Sequence, residues 1–309
     1  LMLLNILFIV VGIALVLWGA DRLTDGAVAV AEKMKMPQIV IGLTIVAMGT
    51  SMPEFCVSFI SALKGTSDLA VGNIVGSNIF NALLIVGVSA LVAPMTIMKT
   101  TVRKDIPFAL VASALLLIMC LDGDISRLDA GILFVMFLIF MYMTLKGAKK
   151  QGADAEEAIE GEGKKPMATW LWILVGLLCL IGGSNLFVEG ATAVATNLGV
   201  SEAVIGLTIV AGGTSLPELA TSVVSARKGN SGIAIGNALG SNVFNILAIL
   251  GITGMITPMT LKGITYIDLS MLVISIMLVW LFSFTKYKIE RWEGAVLTAV
   301  FVGYIYSLL

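Results

Sequence analysis

Residues 41–81 and 205–245 are two copies of one sequence: at a constant offset of 164, without a gap, 26 of the 41 positions are identical. IGLTIVAMGTSMPE at 41–54 becomes IGLTIVAGGTSLPE at 205–218, and GNIVGSNIFN at 72–81 becomes GNALGSNVFN at 236–245. Weaker echoes extend upstream, where Gly19, Gly26 and Ala27 match Gly183, Gly190 and Ala191. A chain duplicated in this way is constrained to fold as two related halves.

What those halves are made of follows from hydropathy. With 58% apolar residues, 32 glycines, only 13% charged residues and a mean hydropathy of +1.02, most of the chain must face hydrocarbon. Stretches of membrane-spanning length, about 17 to 25 residues, lie near 2–21, 38–63, 69–92, 105–121 and 128–146, and again near 168–188, 203–226, 232–256, 266–284 and 292–309. The first reads as a span rather than a cleaved signal peptide, because further spans follow it closely. Five spans per half is an odd number, so the second copy must enter the membrane with the opposite orientation. The expected fold is therefore an all-α membrane protein of ten transmembrane helices: a five-helix repeat over 1–146, its inverted copy over 168–309, and a linker over 147–167. Inverted repeats with interrupted helices at matching positions are a transporter design, since two related halves can expose one central site to either side in turn.

The linker is the one extended polar segment. Its acids Asp154, Glu156, Glu157, Glu160 and Glu162 lack the spacing and central glycine of an EF-hand loop, so it reads as a solvated tether partly balanced by Lys149, Lys150, Lys164 and Lys165. Of the 19 basic residues, 15 fall in one set of alternate loops, including the linker; Lys64, Arg127 and Lys262 fall in the other, and Arg22 ends the first span. That bias places the linker in the cytoplasm and both termini outside, in a plasma (inner) membrane.

Several classes are excluded at once. A net charge of −1 gives no footing for nucleic acid. The absence of histidine removes zinc peptidase motifs and Ser-His catalysis, and no paired intramembrane aspartates are apparent, so no enzyme is expected. Cys56, Cys120 and Cys179 stand singly in apolar runs and read as small core residues. No bound cofactor and no protein partner is implied; the partners are ions and the bilayer.

Glu54 and Glu218 carry the chemistry. Each sits in an otherwise apolar span, where an ionised group costs about 2.5–3.5 kcal/mol on translocon scales, and no Lys or Arg lies in the mid-membrane stretches to pair with it. A bound cation or a proton must compensate. In GTSMPE, Gly49 relaxes the backbone and Pro53 lacks an amide hydrogen, so the helix is expected to break one residue before the acid, freeing carbonyls near Ala47 and Thr50 as ligands. Thr50 and Ser51 add hydroxyls, and Gly213, Thr214, Ser215, Pro217 and Glu218 repeat the arrangement. Asn73, Ser77 and Asn81 form a polar stripe at i, i+4, i+8, copied by Asn237, Ser241 and Asn245. Gly72-x-x-x-Gly76 and Gly236-x-x-x-Gly240 are expected to offer small surfaces for close helix packing. Two acids in a shell of neutral oxygens suit Ca2+ or Na+ rather than zinc, copper or iron.

At GTSMPE…GNIVGSNIFN and GTSLPE…GNALGSNVFN the chain resembles the two alpha-repeats of the cation/calcium exchanger superfamily, most closely its prokaryotic sodium/calcium exchanger branch. The resemblance implies an antiporter in which Glu54, Glu218 and the backbone carbonyls of Thr50 and Thr214 hold Ca2+. Sodium would use the same glutamates with Ser51, Ser77, Ala47, Ser215, Ser241 and Ala211, and the first and sixth spans would slide across the core. One departure stands out: the second repeat of that branch often has Asp where this chain has Asn245, so the pair is Asn81 and Asn245 and two central carboxylates remain. That leaves open a proton/calcium or potassium-dependent sodium/calcium exchanger; separately, a cation channel lined by Glu54 and Glu218 is the more distant alternative, since a channel can share the repeat symmetry. The wording GTS-x-PE favours sodium.

Overall fold

A computed structural model describes residues 2–154, 166–199 and 211–308, with side chains throughout these except at 149–154, 166–168 and 211. The expected acidic run from Glu156 to Glu162 and residues 203–210 of the seventh expected span lie outside the described residues.

The described chain is helical. In order, α1 is Met2–Lys33, α2 Gln38–Thr50, α3 Met52–Leu63, α4 Ser67–Val92, α5 Thr101–Asp122, α6 Arg127–Asp154 and α7 Pro166–Asn197. They are followed by α8 Ala211–Thr214, α9 Leu216–Arg227, α10 Ser231–Ile256, α11 Tyr266–Ser283 and α12 Arg291–Leu308. Among the described residues, seven helices are long and apolar enough to cross a membrane, and α2 with α3, bent by 48°, makes an eighth. Leu3, Val10, Leu128, Val135, Leu171, Leu178 and Val302 are exposed, so the outer surface is itself apolar, as lipid contact requires.

α4 and α10 run through the middle and are the most buried of the spans. Glycines allow the close approaches. A Cβ on Gly236 would meet the Gly42 Cα at 2.9 Å, and one on Gly240 would meet Leu43 at 2.7 Å, so α10 packs directly on α2. The matching pair on α4 does not behave this way: among the described residues nothing lies within 4 Å of a Cβ at Gly72 or Gly76, and these glycines line a cavity instead. The expectation of two equivalent packing stripes therefore holds for one copy only.

α1 and α7 pack side by side along their lengths through glycines Gly12, Gly19 and Gly26 of one and Gly176, Gly183 and Gly190 of the other. Gly12 faces the Gly183 carbonyl and Gly19 the Gly176 carbonyl, and the two contacts exchange under the 164-residue offset. Both helices are longer than the apolar runs that mark them. α1 continues past Trp18 to Lys33, so Arg22 lies inside the helix rather than at its end. It can do so because its charges are mutually compensated: Arg22 meets Asp21 at 2.5 Å and lies over the Trp18 and Trp172 rings. α6 and α7 likewise extend into the expected tether, leaving 155–165 between them.

Two short ribbons cap the bundle. β1 (Met95–Thr96) pairs antiparallel with β4 (Lys288–Ile289), and β2 (Asp124–Ile125) with β3 (Met259–Thr260). The offset carries β1 onto β3 and β2 onto β4, so each ribbon ties one half to the other. Cys120 is buried as expected, whereas Cys56 is exposed and Cys179 only partly covered; Cys56 lies on the outer side of α3, where the apolar run faces outward.

Candidate cation-binding site

The two breaks fall at Ser51 (φ −82°, ψ 8°) and Ser215 (φ −91°, ψ 8°), three residues before each acid rather than one. Pro53 and Pro217 sit in the first turns of α3 and α9, where an amide hydrogen has no intrahelical partner and its loss costs nothing. The proline therefore starts the second helix instead of interrupting it. This puts Glu54 and Glu218 in the first turn of their helices, at the partially positive end of the backbone dipole, which favours a carboxylate. The break does not free the Ala47 carbonyl, which accepts the Ser51 amide at 3.0 Å and lies 3.4 Å from the Thr50 hydroxyl.

Both glutamates are fully buried, and neither makes an ion pair among the described residues. Each is held by the opposite half. Ser51 donates to Glu218 Oε1 at 3.0 Å, and Ser215 donates to Glu54 Oε1 at 2.8 Å while lying 3.2 Å from the Ser77 hydroxyl. In both acids Oε2 has no hydrogen-bond partner among the described residues. Two desolvated carboxylate oxygens left in this way are costly unless a cation takes them.

The neighbouring polar groups divide into braces and unsatisfied groups. Asn73 donates to the Glu54 carbonyl at 3.3 Å and to Ser58 at 3.0 Å; Asn237 makes the same pair to Glu218 at 3.2 Å and Ser222 at 3.0 Å. The Thr50 hydroxyl lies 3.0 Å from Asn237 Oδ1 and 3.1 Å from the Val46 carbonyl, so it is occupied within the protein. Ser184 also bonds the Gly213 carbonyl. By contrast, the Ser241 hydroxyl, both amide atoms of Asn81 and Oδ1 of Asn245 are buried without partners among the described residues. Thr214 is half-buried and engaged, and Ala211 opens α8, its side chain not described.

Asn81 and Asn245 lie in π-helical turns, Phe80–Ile85 and Phe244–Ile249, which widen the helix locally. Asn78 and Asn242, which the sequence reading did not single out, knit these turns together. Each donates to the other's carbonyl at 3.2 Å, and Asn78 Oδ1 accepts from Asn245 at 2.9 Å. Their signal was present in the sequence: a buried-type amide repeated at the offset inside an apolar span. The structure thus gathers these residues in two neighbouring bonded sets, Glu54 with Ser215 and Ser77, and Glu218 with Ser51 and, through Asn237, Thr50, with Asn81, Asn245 and Ser241 as unsatisfied groups on the central helices α4 and α10.

Buried acids at helix breaks inside a lipid-faced helical bundle are the architecture of a secondary ion transporter. The sequence profile of the family described as "Sodium/calcium exchanger protein" matches residues 4–146 and 168–309, and the chain belongs to that family. It is 38% identical to the inner membrane protein YrbG of Escherichia coli, covering 99% of this chain and 97% of the relative. It is 31% identical to the sodium/calcium exchanger MaX1 of Methanosarcina acetivorans, covering 98% of each. Among solved structures, the sodium-calcium exchanger NCX_Mj superimposes with a TM-score of 0.88 at 30% identity, covering 100% of both chains.

Proposed function

We propose that this chain is a secondary antiporter that exchanges Na+ for Ca2+ by alternating access, with Glu54 and Glu218 as the shared charges at its centre. The observation that carries this reading is the crossed Ser–Glu arrangement: two fully buried carboxylates, each with one oxygen bonded across the halves and one left over. Two negative charges balance one Ca2+, and among the described residues no cluster of three acidic or soft ligands offers a rival metal site. In this reading Ca2+ takes both carboxylates and the backbone carbonyls of Thr50 and Thr214. Na+ takes the same glutamates with Ser51, Ser77, Ser215, Ser241 and Ala211, and Ala47 joins them through the carbonyl lone pair that the Ser51 amide leaves over, while Asn81 and Asn245 add neutral amide oxygens.

The helices are assigned to ten spans in two inverted five-helix halves, 1–146 and 168–309. The exchange of β1 with β3 and of the glycine contacts of α1 and α7 under one offset supports that assignment. The 15-to-3 division of basic residues supports a cytoplasmic 147–167 and external termini in an inner membrane. The wording GTS-x-PE and the likeness to the sodium/calcium exchanger MaX1 favour sodium over proton or potassium coupling. The direct test is Ca2+ binding to the detergent-solubilised protein with and without Na+. Saturation near one Ca2+ per chain, with Na+ displacing it, is expected; Ca2+ binding indifferent to Na+ contradicts the shared site.

A further inference from the structure

The two faces of the molecule are not in the same state. On the face carrying the turn between α9 and α10, α1 is tied down: Lys228 Nζ lies 2.6 Å from Asp21 Oδ1 and 2.7 Å from Asp25 Oδ1. Beside it, the Thr24 hydroxyl meets Ser225 at 2.9 Å in a buried contact, and α1 packs along α9. Burial works against the Lys228 charge, but its bonds to the two aspartates outweigh this and hold its pKa above the ordinary lysine value.

The 164-residue offset carries Lys228 back onto Lys64, in the turn after α3, and carries Asp25 forward onto Glu189, on α7; Asp21 falls on Asn185. The charges of the tie are thus present a second time, on the opposite face. There they are apart. Lys64 and Glu189 are both exposed and form no ion pair among the described residues, and α7 has no contact with α3 comparable to that of α1 with α9. A cavity of about 540 Å3 on the same side runs from Asp68 and Asp268 past Gly76 to Ser77 of the candidate site.

We infer that Lys64 and Glu189 are positioning residues of the transport cycle, which pair when the molecule closes on that face and separate when Lys228 re-engages Asp21 and Asp25. The inference rests on the alternating-access reading. In a protein of two inverted halves, the second state is reached when the halves exchange conformations. α1 and α7, joined through Gly12, Gly19, Gly176 and Gly183, move as one body, so releasing α1 from the α9–α10 turn carries α7 toward the α3–α4 turn. There Glu189 meets Lys64 as Asp25 now meets Lys228. The tie at Lys228 uses two carboxylates and the other only one, because Asn185 stands where Asp21 has its charge. That inequality biases the resting population toward closure on the Lys228 face, by the few-fold that an exposed ion pair supplies.

The test uses the full chain without Cys56, Cys120 and Cys179, reconstituted in liposomes, carrying Lys64→Cys with Glu189→Cys. A short bis-methanethiosulfonate reagent should link the two sites, as read by resistance of the protein to fragmentation after cleavage in 147–167. Linking should cut Ca2+ uptake at least ten-fold, and reduction should restore it. Independently, Glu189→Lys should slow exchange a few-fold, and adding Lys64→Glu should bring it back to within two-fold of the parent. A pair that never links under any Na+ or Ca2+ condition, a linked protein transporting at the unmodified rate, or a charge swap that restores nothing would each overturn the inference while leaving the exchange reading intact. A cysteine-free parent that binds no Ca2+ and shows no exchange would instead remove that reading, and this inference with it.

Discussion

Ser215 donates its hydroxyl to Glu54 Oε1 at 2.8 Å across the two halves of the chain, and Ser51 makes the reciprocal bond to Glu218 at 3.0 Å. Neither acid is oriented by its own repeat alone, so one half cannot assemble the site. The arrangement also separates two functions that sequence spacing merges. The serines hold one oxygen of each carboxylate in place, and the second oxygen has no hydrogen-bond partner among the described residues.

Glu54→Gln and Glu218→Gln should each abolish Ca2+ transport, by more than about 100-fold. In the proposed site each removes one of two charges facing a desolvated divalent ion, and breaking a buried charge pair costs about 3–5 kcal/mol. Both variants should remain monodisperse, because Gln keeps the bond from serine. Uptake near the parent rate in either one would exclude the two-carboxylate site.

Ser51→Ala and Ser215→Ala each remove one neutral donor and leave the glutamate charge. The cost is about 1 kcal/mol per bond, so Ca2+ affinity should fall about five-fold. The Na+ concentration needed for half-maximal displacement should rise further, because in the proposed site sodium uses the serine oxygen itself. Titration of both ions against each variant checks the order; equal losses for both ions would assign the serines to orientation only.

Gly12→Ala and Gly183→Ala place a methyl 2.7–2.8 Å from the facing carbonyl oxygen of the α1–α7 contact. Overpacking of this kind costs about 1–3 kcal/mol, so the melting temperature in detergent should fall for both. Gly72→Ala, with no described neighbour within 4 Å, should leave it unchanged.

A single cysteine within 147–167 of a cysteine-free variant should resist an impermeant thiol reagent in intact cells, and one added at the C-terminus should react. The reverse pattern would show that packing overrode the basic-residue bias.

Much of this was legible in the sequence because hydropathy and duplication report directly on lipid and on fold. Glu54 and Glu218 stood out since an unpaired acid in an apolar span demands a reason. Three features were not legible. Proline chemistry alone does not say whether Pro53 ends one helix or begins the next, and the chain uses it to begin α3, moving the break to Ser51. Arg22 looked like a helix end because charge marks a boundary, yet Asp21, Asp25 and Lys228 neutralise the charged turn and α1 runs on to Lys33. Identical motifs also predict identical packing, whereas Gly236 is pressed against α2 and Gly72 faces a cavity. A sequence records the repeat, but only a three-dimensional state distinguishes its copies.

The central claim is coupling, and radiolabelled Ca2+ uptake into proteoliposomes loaded with Na+, K+ or choline at one fixed pH tests it most directly. The account predicts uptake that requires internal Na+, stops when the outward Na+ gradient collapses, and is insensitive to a protonophore. Uptake with choline inside would make the protein a channel. Uptake that ignores Na+ and K+, follows an imposed pH difference and vanishes with the protonophore would make it a proton/calcium exchanger.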